Sequence, residues 1–187
     1  ATLAHVFTGQ QSIYELYKVI SRDFLYKDPK TNLIFADNHD VTRFFSYTER
    51  DINKYKQIIT FLATTRGIPQ IYYGTEILMT GHSHEEIRAD YPGGWEEDSV
   101  DAFTANGRTE LQNEAYEFLV KLFKWRKSQE VIHSGNLIHF IPYNNTYVYF
   151  RENEKNCVLV AINNSNNDVE LEYDRHKEIL NKYSSGK

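Results

Sequence analysis

A chain of 187 residues with 41% apolar side chains can bury a sizeable core and is long enough for one domain, or one and a half. Its net charge of −5 and pI near 5.8 argue against nucleic acid, because a phosphate backbone calls for a basic face. The one cysteine, Cys157, cannot form an intrachain disulfide and reads as a small core residue, and no 18-residue apolar span exists to cross a membrane.

Residues 1–11 read as a loop with Gly9 and two glutamines; the first five lack the basic and apolar regions of a signal peptide, so the compartment is unreadable. Ser12 and Glu15 have the spacing of a capping box, and Ile13, Leu16, Tyr17, Ile20 and Phe24 follow at helical spacing. This predicts a helix over 12–27, stopped by Asp28-Pro29. An apolar strand over 32–36 ends in the polar tip Asp37-Asn38-His39-Asp40. A second helix over 51–66 has Ile52, Tyr55, Ile59 and Leu62 on one face, with Gly67 as its C′ residue and Pro69 preventing continuation. A second strand over 69–73 follows at once. Strand, helix and strand with short connections make a parallel βαβ unit, whose strands, apolar nearly throughout, call for cover on both faces.

Residues 74–108 hold no long periodic segment, which is far longer than an ordinary connection after a strand. They carry Glu76, His82, His84, Arg88, Asp90, Tyr91, Trp95 and Phe103, so the loop reads as ordered and site-forming. Thr109 and Gln112 form another capping box before a helix to about residue 128, with Leu111, Ala115, Phe118, Leu119, Leu122 and Trp125 as its stripe. From residue 131 the period changes: 137–141, 147–150 and 157–162 read as antiparallel strands, 169–171 as a further short strand, and no final element is evident. The domain boundary falls near 129–132. Two parallel strands do not make a stable two-faced sheet, and the β region has too few strands for a sandwich. The chain therefore reads as a piece of something longer, or as one part of an assembly.

At the strand tip, Asp40 can act as an acid, a base or a charge stabiliser, while His39 and Asn38 can donate hydrogen bonds to a polyhydroxylated ligand. The same residue types favour caps and turns, so the triplet alone leaves both readings open. His82-x-His84-Glu85 lacks the third spaced ligand that zinc calls for and reads as a solvated loop. No metal site is assigned.

Phe35-Ala36-Asp37-Asn38-His39-Asp40, with Arg43 three residues on, resembles the fourth signature region of the α-amylase family of glycoside hydrolases. The segment from Thr65 to Glu76, with Gly67, Pro69 and Tyr72-Tyr73-Gly74, resembles that family's block at the last barrel strand. Met79-Thr80-Gly81, Ile87-Arg88 and Tyr91-Pro92-Gly93-Gly94-Trp95 resemble the neopullulanase and cyclomaltodextrinase branch. The resemblance implies a fold that is α/β and then all-β: the C-terminal part of a (β/α)8 TIM barrel over 1–130, with the last two strands and three helices, then the start of an antiparallel β-sandwich over 131–187.

The resemblance also implies retaining hydrolysis of α-glucosidic bonds in starch, pullulan, maltooligosaccharides or cyclodextrins, by two carboxyl groups flanking the bond. In the family those two come from the fourth and fifth strands, which this sequence lacks, so the chain alone is expected to be inactive. Asp40 resembles the family's third carboxylate, the transition-state stabiliser, and His39 its sugar-binding neighbour; Asn38, Arg43, Arg88 and Trp95 are the further substrate-binding candidates, Arg43 either supporting the site through Asp40 or Asp37 or lying on the surface, and Trp95 either stacking on a sugar ring or anchoring its loop. No cofactor is required. Calcium occurs in parts of the family, but no acidic loop here has a recognisable calcium spacing. The branch often dimerises, and the resemblance suggests a bacterial periplasmic or other extracytoplasmic location. The alternative is a non-catalytic α-glucan-binding or barrel-completing module.

Overall fold

A computed structural model describes residues 2–184. The chain opens on a short helix, α1 (Thr2–Phe7), where a loop was expected. Its sequence carries no cap or long period. It is helical because Val6 and Phe7 are buried completely against the next helices, a tertiary gain that overrides weak local preference. Helix α2 (Tyr14–Ile20) ends seven residues earlier than its apolar spacing predicts. Ser12 Oγ accepts from Tyr14 N at 3.2 Å, and Glu15 pairs with Lys18 at 2.7 Å instead of reaching back, so the capping box does not form. Phe24, expected in the stripe, is 81% exposed on a 3-10 turn (Asp23–Leu25). That turn serves a different purpose: both carboxylate oxygens of Asp23 accept from Arg66, at 2.7 to 2.9 Å.

Strand β1 (Leu33–Ile34) is followed by α3 (Phe44–Tyr47), α4 (Ile52–Thr64) and β2 (Ile68–Pro69). The strands pair in parallel, Leu33 opposite Ile68 and Ile34 opposite Pro69, which is the expected βαβ unit. Each is only two residues long, because neither has a neighbour on its outer side to extend the ladder. Leu33 and Ile68 accordingly remain more than half exposed. Helix α4 starts where Asp51 Oδ1 accepts from Asn53 N at 2.7 Å and buries Tyr55, Ile58, Ile59 and Leu62. Its C-cap is Thr65, two residues before Gly67. Gly67 sits at φ +102°, where a Cβ would lie 2.8 Å from Asn32 O, so the close approach of the chain to β1 requires glycine there.

The long segment after β2 contains one helical turn, α5 (His84–Ile87), before α6 (Glu110–Ser128). The Thr109 capping box of α6 forms as its sequence predicts, and Ala115 meets the core. After α7 (Glu130–His133), strands β3 (Asn136–His139), β4 (Thr146–Glu152) and β5 (Cys157–Asn163) build an antiparallel sheet in the order β3–β4–β5. Asn144 and Asn145, both at positive φ, turn β3 into β4. Residues 169–171 pair with no strand, and the chain closes on α8 (Tyr173–Ser184), where no element was expected.

Alternation along β4 sets the layers. Tyr147 and Tyr149 face α4 and join the main core, whereas Val148 and Phe150 face α8 and Ile179 in a second cluster. Among the described residues, a helix thus covers the outer side of the sheet. Cys157 lies half-buried at the edge of that second cluster. Between the sheet and α4, Phe61 meets the Tyr149 ring edge-on at 6.0 Å, and Thr64 Oγ1 lies 2.5 Å from Tyr149 Oη. Among the described residues, no helix is long and apolar enough to cross a membrane.

Candidate functional site

The tip of β1 is built on a buried carboxylate. Ala36 and Asp37 close the strand inside the protein, with Asp37 Oδ2 accepting from Phe44 N at 2.9 Å and Oδ1 from Thr75 Oγ1 at 3.2 Å. One side chain thereby ties the tip to the start of α3 and to the turn after β2. Burial raises the Asp37 pKa, against the pull of the Phe44 amide and the Arg43 charge. Reading the sequence as an Asn-His-Asp tip gave Asp37 no role beyond a partner for Arg43 and overlooked Thr75. The visible signal was that Asp37 directly follows the small buried Ala36.

Beyond Asp37 the chain turns outward. Asn38 Oδ1 accepts from Asp40 N at 2.8 Å, an Asx turn that commits the Asn38 oxygen and points the next two residues at solvent. The His39 and Asp40 side chains are 60% and 63% exposed, with His39 Nε2 3.2 Å from Asp40 Oδ2. Arg88 comes from the far end of α5 to place Nη2 3.1 Å from Asp40 Oδ1, and its other terminal nitrogen lies 2.5 Å from His84 Nδ1. Asp40 thus has a nitrogen partner on each oxygen and stays open to solvent, an arrangement able to accept hydrogen bonds from a ligand's hydroxyls.

Arg43 is not in that opening. Its guanidinium is enclosed completely, donating from Nε to Ile87 O at 3.1 Å and from Nη1 to Tyr73 O, and lying over the Tyr72 ring at 4.1 Å. Burial removes Arg43 from direct substrate contact and fits the other expectation, support through Asp37: Arg43 pins the loop after β2 against the tip and acts on Asp37 through its charge. Trp95 is held on a turn of the long loop. Its indole Nε1 donates to Asp90 Oδ2 at 3.0 Å and its backbone N to Asp98 Oδ2 at 3.1 Å, which leaves the ring 64% exposed on a fixed turn. Among the described residues, no three His, Cys, Asp or Glu side chains converge as metal ligands, and His84 is engaged with Arg88. A concavity of about 640 Å³ lies elsewhere, between the α1–α2 link and the turn after β5. Its carboxylate, Asp51, is committed to capping α4.

A parallel βαβ unit that carries exposed ionisable residues at the carboxyl end of a strand, backed by a long loop, is the layout of a barrel enzyme's active face. Known proteins agree. Residues 5–98 match the family described as alpha amylase, catalytic domain, and residues 137–187 match the cyclo-malto-dextrinase C-terminal domain. The chain belongs to the α-amylase family, and its fold is the C-terminal part of a (β/α)8 barrel followed by an antiparallel β region. An α-amylase of Niallia circulans is 31% identical over 83% of this chain and 26% of its own length. A cyclomaltodextrin glucanotransferase of Bacillus sp. (strain 38-2) is 32% identical over 76% of this chain and 18% of its own. The crystal structure of the Geobacillus thermoleovorans α-amylase complexed with acarbose superposes with a TM-score of 0.70 at 25% identity, covering 93% of this chain and 38% of that one. The chain thus spans about a quarter or less of the curated relatives' length.

Proposed function

We propose that the tip of β1 is the sugar-gripping part of an active site that cleaves α-glucosidic bonds of starch, maltooligosaccharides or cyclodextrins with retention of configuration. The observation that carries this reading is the presentation of Asp40: open to solvent, with His39 and Arg88 on its two oxygens, and held from beneath by buried Asp37. A carboxylate so placed accepts hydrogen bonds from a pair of ring hydroxyls, and those bonds strengthen as positive charge develops on the sugar. His39 adds an N–H donor beside it. In this reading the nucleophile and the general acid stand on barrel strands outside these 187 residues, residues 1–130 are the barrel part and 131–187 the β domain. The Asp40→Ala substitution in the enzyme that carries this segment is expected to cost on the order of 2.7–4 kcal/mol of barrier, by comparison with removal of one preorganised stabilising group. Near wild-type turnover of maltooligosaccharides by that variant would overturn the assignment.

A second reading has its own support. Among the described residues, neither outer edge of the β1–β2 pair is paired, and Leu33 is 64% and Ile68 51% exposed beside them. A chain with such edges can complete a barrel by association with strands from another polypeptide. Light scattering distinguishes the two: a cooperatively folding monomer disfavours association.

A further inference from the structure

Helix α8 meets the sheet through His176, Ile179, Leu180 and Tyr183, a stripe at helical spacing whose first position holds a histidine where packing calls for an apolar side chain. His176 is 5% exposed, its ring edge-on to Phe140 at 4.7 Å and tilted against Phe150 at 6.2 Å. Its Nδ1 is enclosed and has no hydrogen-bond partner among the described residues. The strands beneath present Ile138, Phe140, Val148 and Phe150, none of which carries charge. The charged neighbours are Arg175 on α8 itself and, along the same cleft, Glu170 and Glu172 from the segment before the helix, with the Tyr143 phenol from the β3–β4 turn. Arg175 is turned to the surface, donating from Nη2 to Ile141 O at 3.1 Å and covering the Tyr143 ring at 4.6 Å. Burial first, and the Arg175 charge second, lower the His176 pKa.

We propose that α8 is an acid-released cover, which stays on the sheet while His176 is neutral and leaves it when the imidazole takes up a proton. A protonated imidazole carries a full charge and an N–H on both nitrogens. In place, its Nδ1–H would face aromatic rings with no acceptor, a cost that release removes. Little else holds the helix. Val148, Phe150 and Ile179 are the buried apolar side chains of the contact. The ties at its two ends lie at the surface: Arg175 to Ile141 O, and Tyr183 Oη to Glu152 Oε2 at 3.2 Å, with Lys182 3.8 Å from Glu152. An element with so few buried contacts opens without the rest of the fold. A released histidine titrates near 6.5 and the docked one lower, so between those values the released state binds more protons. Docking is therefore complete above the released value and weakens as pH falls through it towards the docked value. Release bares Val148 and Phe150 on the outer face of β4, whereas Tyr147 and Tyr149 stay in the main core.

Hydrogen exchange read by mass spectrometry tests the cover, in the enzyme that carries this segment, at about pH 7.5 and about pH 5 with the intrinsic exchange rates divided out. Protection of the α8 amides is expected to fall about three- to thirtyfold at the lower pH, the upper bound being set by a released histidine near 6.5. The β4 amides are expected to keep their protection. His176→Phe, which fills the same space without titrating, is expected to protect α8 equally at both pH values, and the smaller His176→Leu to do the same. Equal protection of wild-type α8 at both pH values overturns the proposal, as does an α8 already unprotected at the higher one. So does a fall of wild-type size in either variant, which would place the titration at Glu152, Glu170 or Glu172, or at His139, bonded to Tyr147 on the inner face. Loss of β4 protection together with that of α8 would mean global acid unfolding and overturns it as well.

Discussion

Arg88 Nη2 donates to Asp40 Oδ1 at 3.1 Å, joining two residues 48 positions apart. The partners are 40% and 63% exposed, and an ion pair so open contributes about 0–1 kcal/mol to folding. Its value is positional: it fixes the rotation of the Asp40 carboxylate while His39 holds the other oxygen. In the enzyme that carries this segment, Arg88→Ala is therefore expected to leave the urea midpoint nearly unchanged and, on the proposed reading of Asp40, to weaken maltooligosaccharide binding about tenfold, since misplacement of a gripping group by about 1 Å costs up to about a hundredfold. Calorimetry and urea unfolding of the same preparation check this. A variant that loses stability and keeps its affinity would make Arg88 a structural residue.

Arg151 presents the opposite case, a guanidinium buried completely. It donates to Thr64 O at 3.2 Å, Thr65 O at 2.8 Å and Gly135 O at 2.9 Å. Arg126 alongside donates to Ala63 O at 2.6 Å and Gly67 O at 3.1 Å. Together they satisfy carbonyls at the end of α4, where the helix dipole is negative, and Arg151 does so from β4, so the sheet is riveted to the barrel helix. Burial, with the Arg126 charge second, lowers the Arg151 pKa to about 10, so it stays charged at neutral pH. Arg151→Met keeps the stem and strands the carbonyls; at about 1–3 kcal/mol for each buried polar group left unpaired, a loss of roughly 3 kcal/mol or more is expected in urea unfolding. Hydrogen exchange in that variant should rise first in β4. A loss under about 1 kcal/mol would mean that water replaces the guanidinium.

The βαβ unit was legible because each of its signals is local: the period of α4, Pro69 after the helix and the apolar runs on either side of it. Elements α1 and α8 were not. Both are short, and both are helical because of what they cover: Val6 and Phe7 fill the core beside α4, and Ile179 covers Val148 and Phe150. The site divides in the same way. The motif located Asp40, His39 and Arg88 on one opening, but spacing carries no information on depth. Arg43, three residues from Asp40, proved wholly enclosed, while Asp37, three residues before it, proved to be the buried support. Phe103 and Arg108, from a loop with no period at all, line one cavity with Tyr73, and only the fold brings them there.

The buried Asp37 carboxylate gives the site a pH signature. Its folded pKa is raised, with burial the largest cause, whereas an unfolded chain has an aspartate near 3.9. Between those two values the folded state binds more protons than the unfolded state. Stability therefore falls as pH rises through that window and stays reduced above it. Asp37→Asn resembles the protonated form: its oxygen can accept from Phe44 N, and its amide can donate to Thr75 Oγ1, which itself accepts as readily as it donates. Urea unfolding of both proteins from about pH 3.5 to about pH 8 is expected to give similar stabilities at the acid end. As pH rises the asparagine variant should become progressively the more stable, and the difference should level off above the folded pKa. A difference that shrinks with rising pH would show that the Phe44 and Thr75 hydrogen bonds and the Arg43 charge outweigh burial. In that event Asp37 is an anchor stabilised by its charge, not a strained support kept for the sake of the tip.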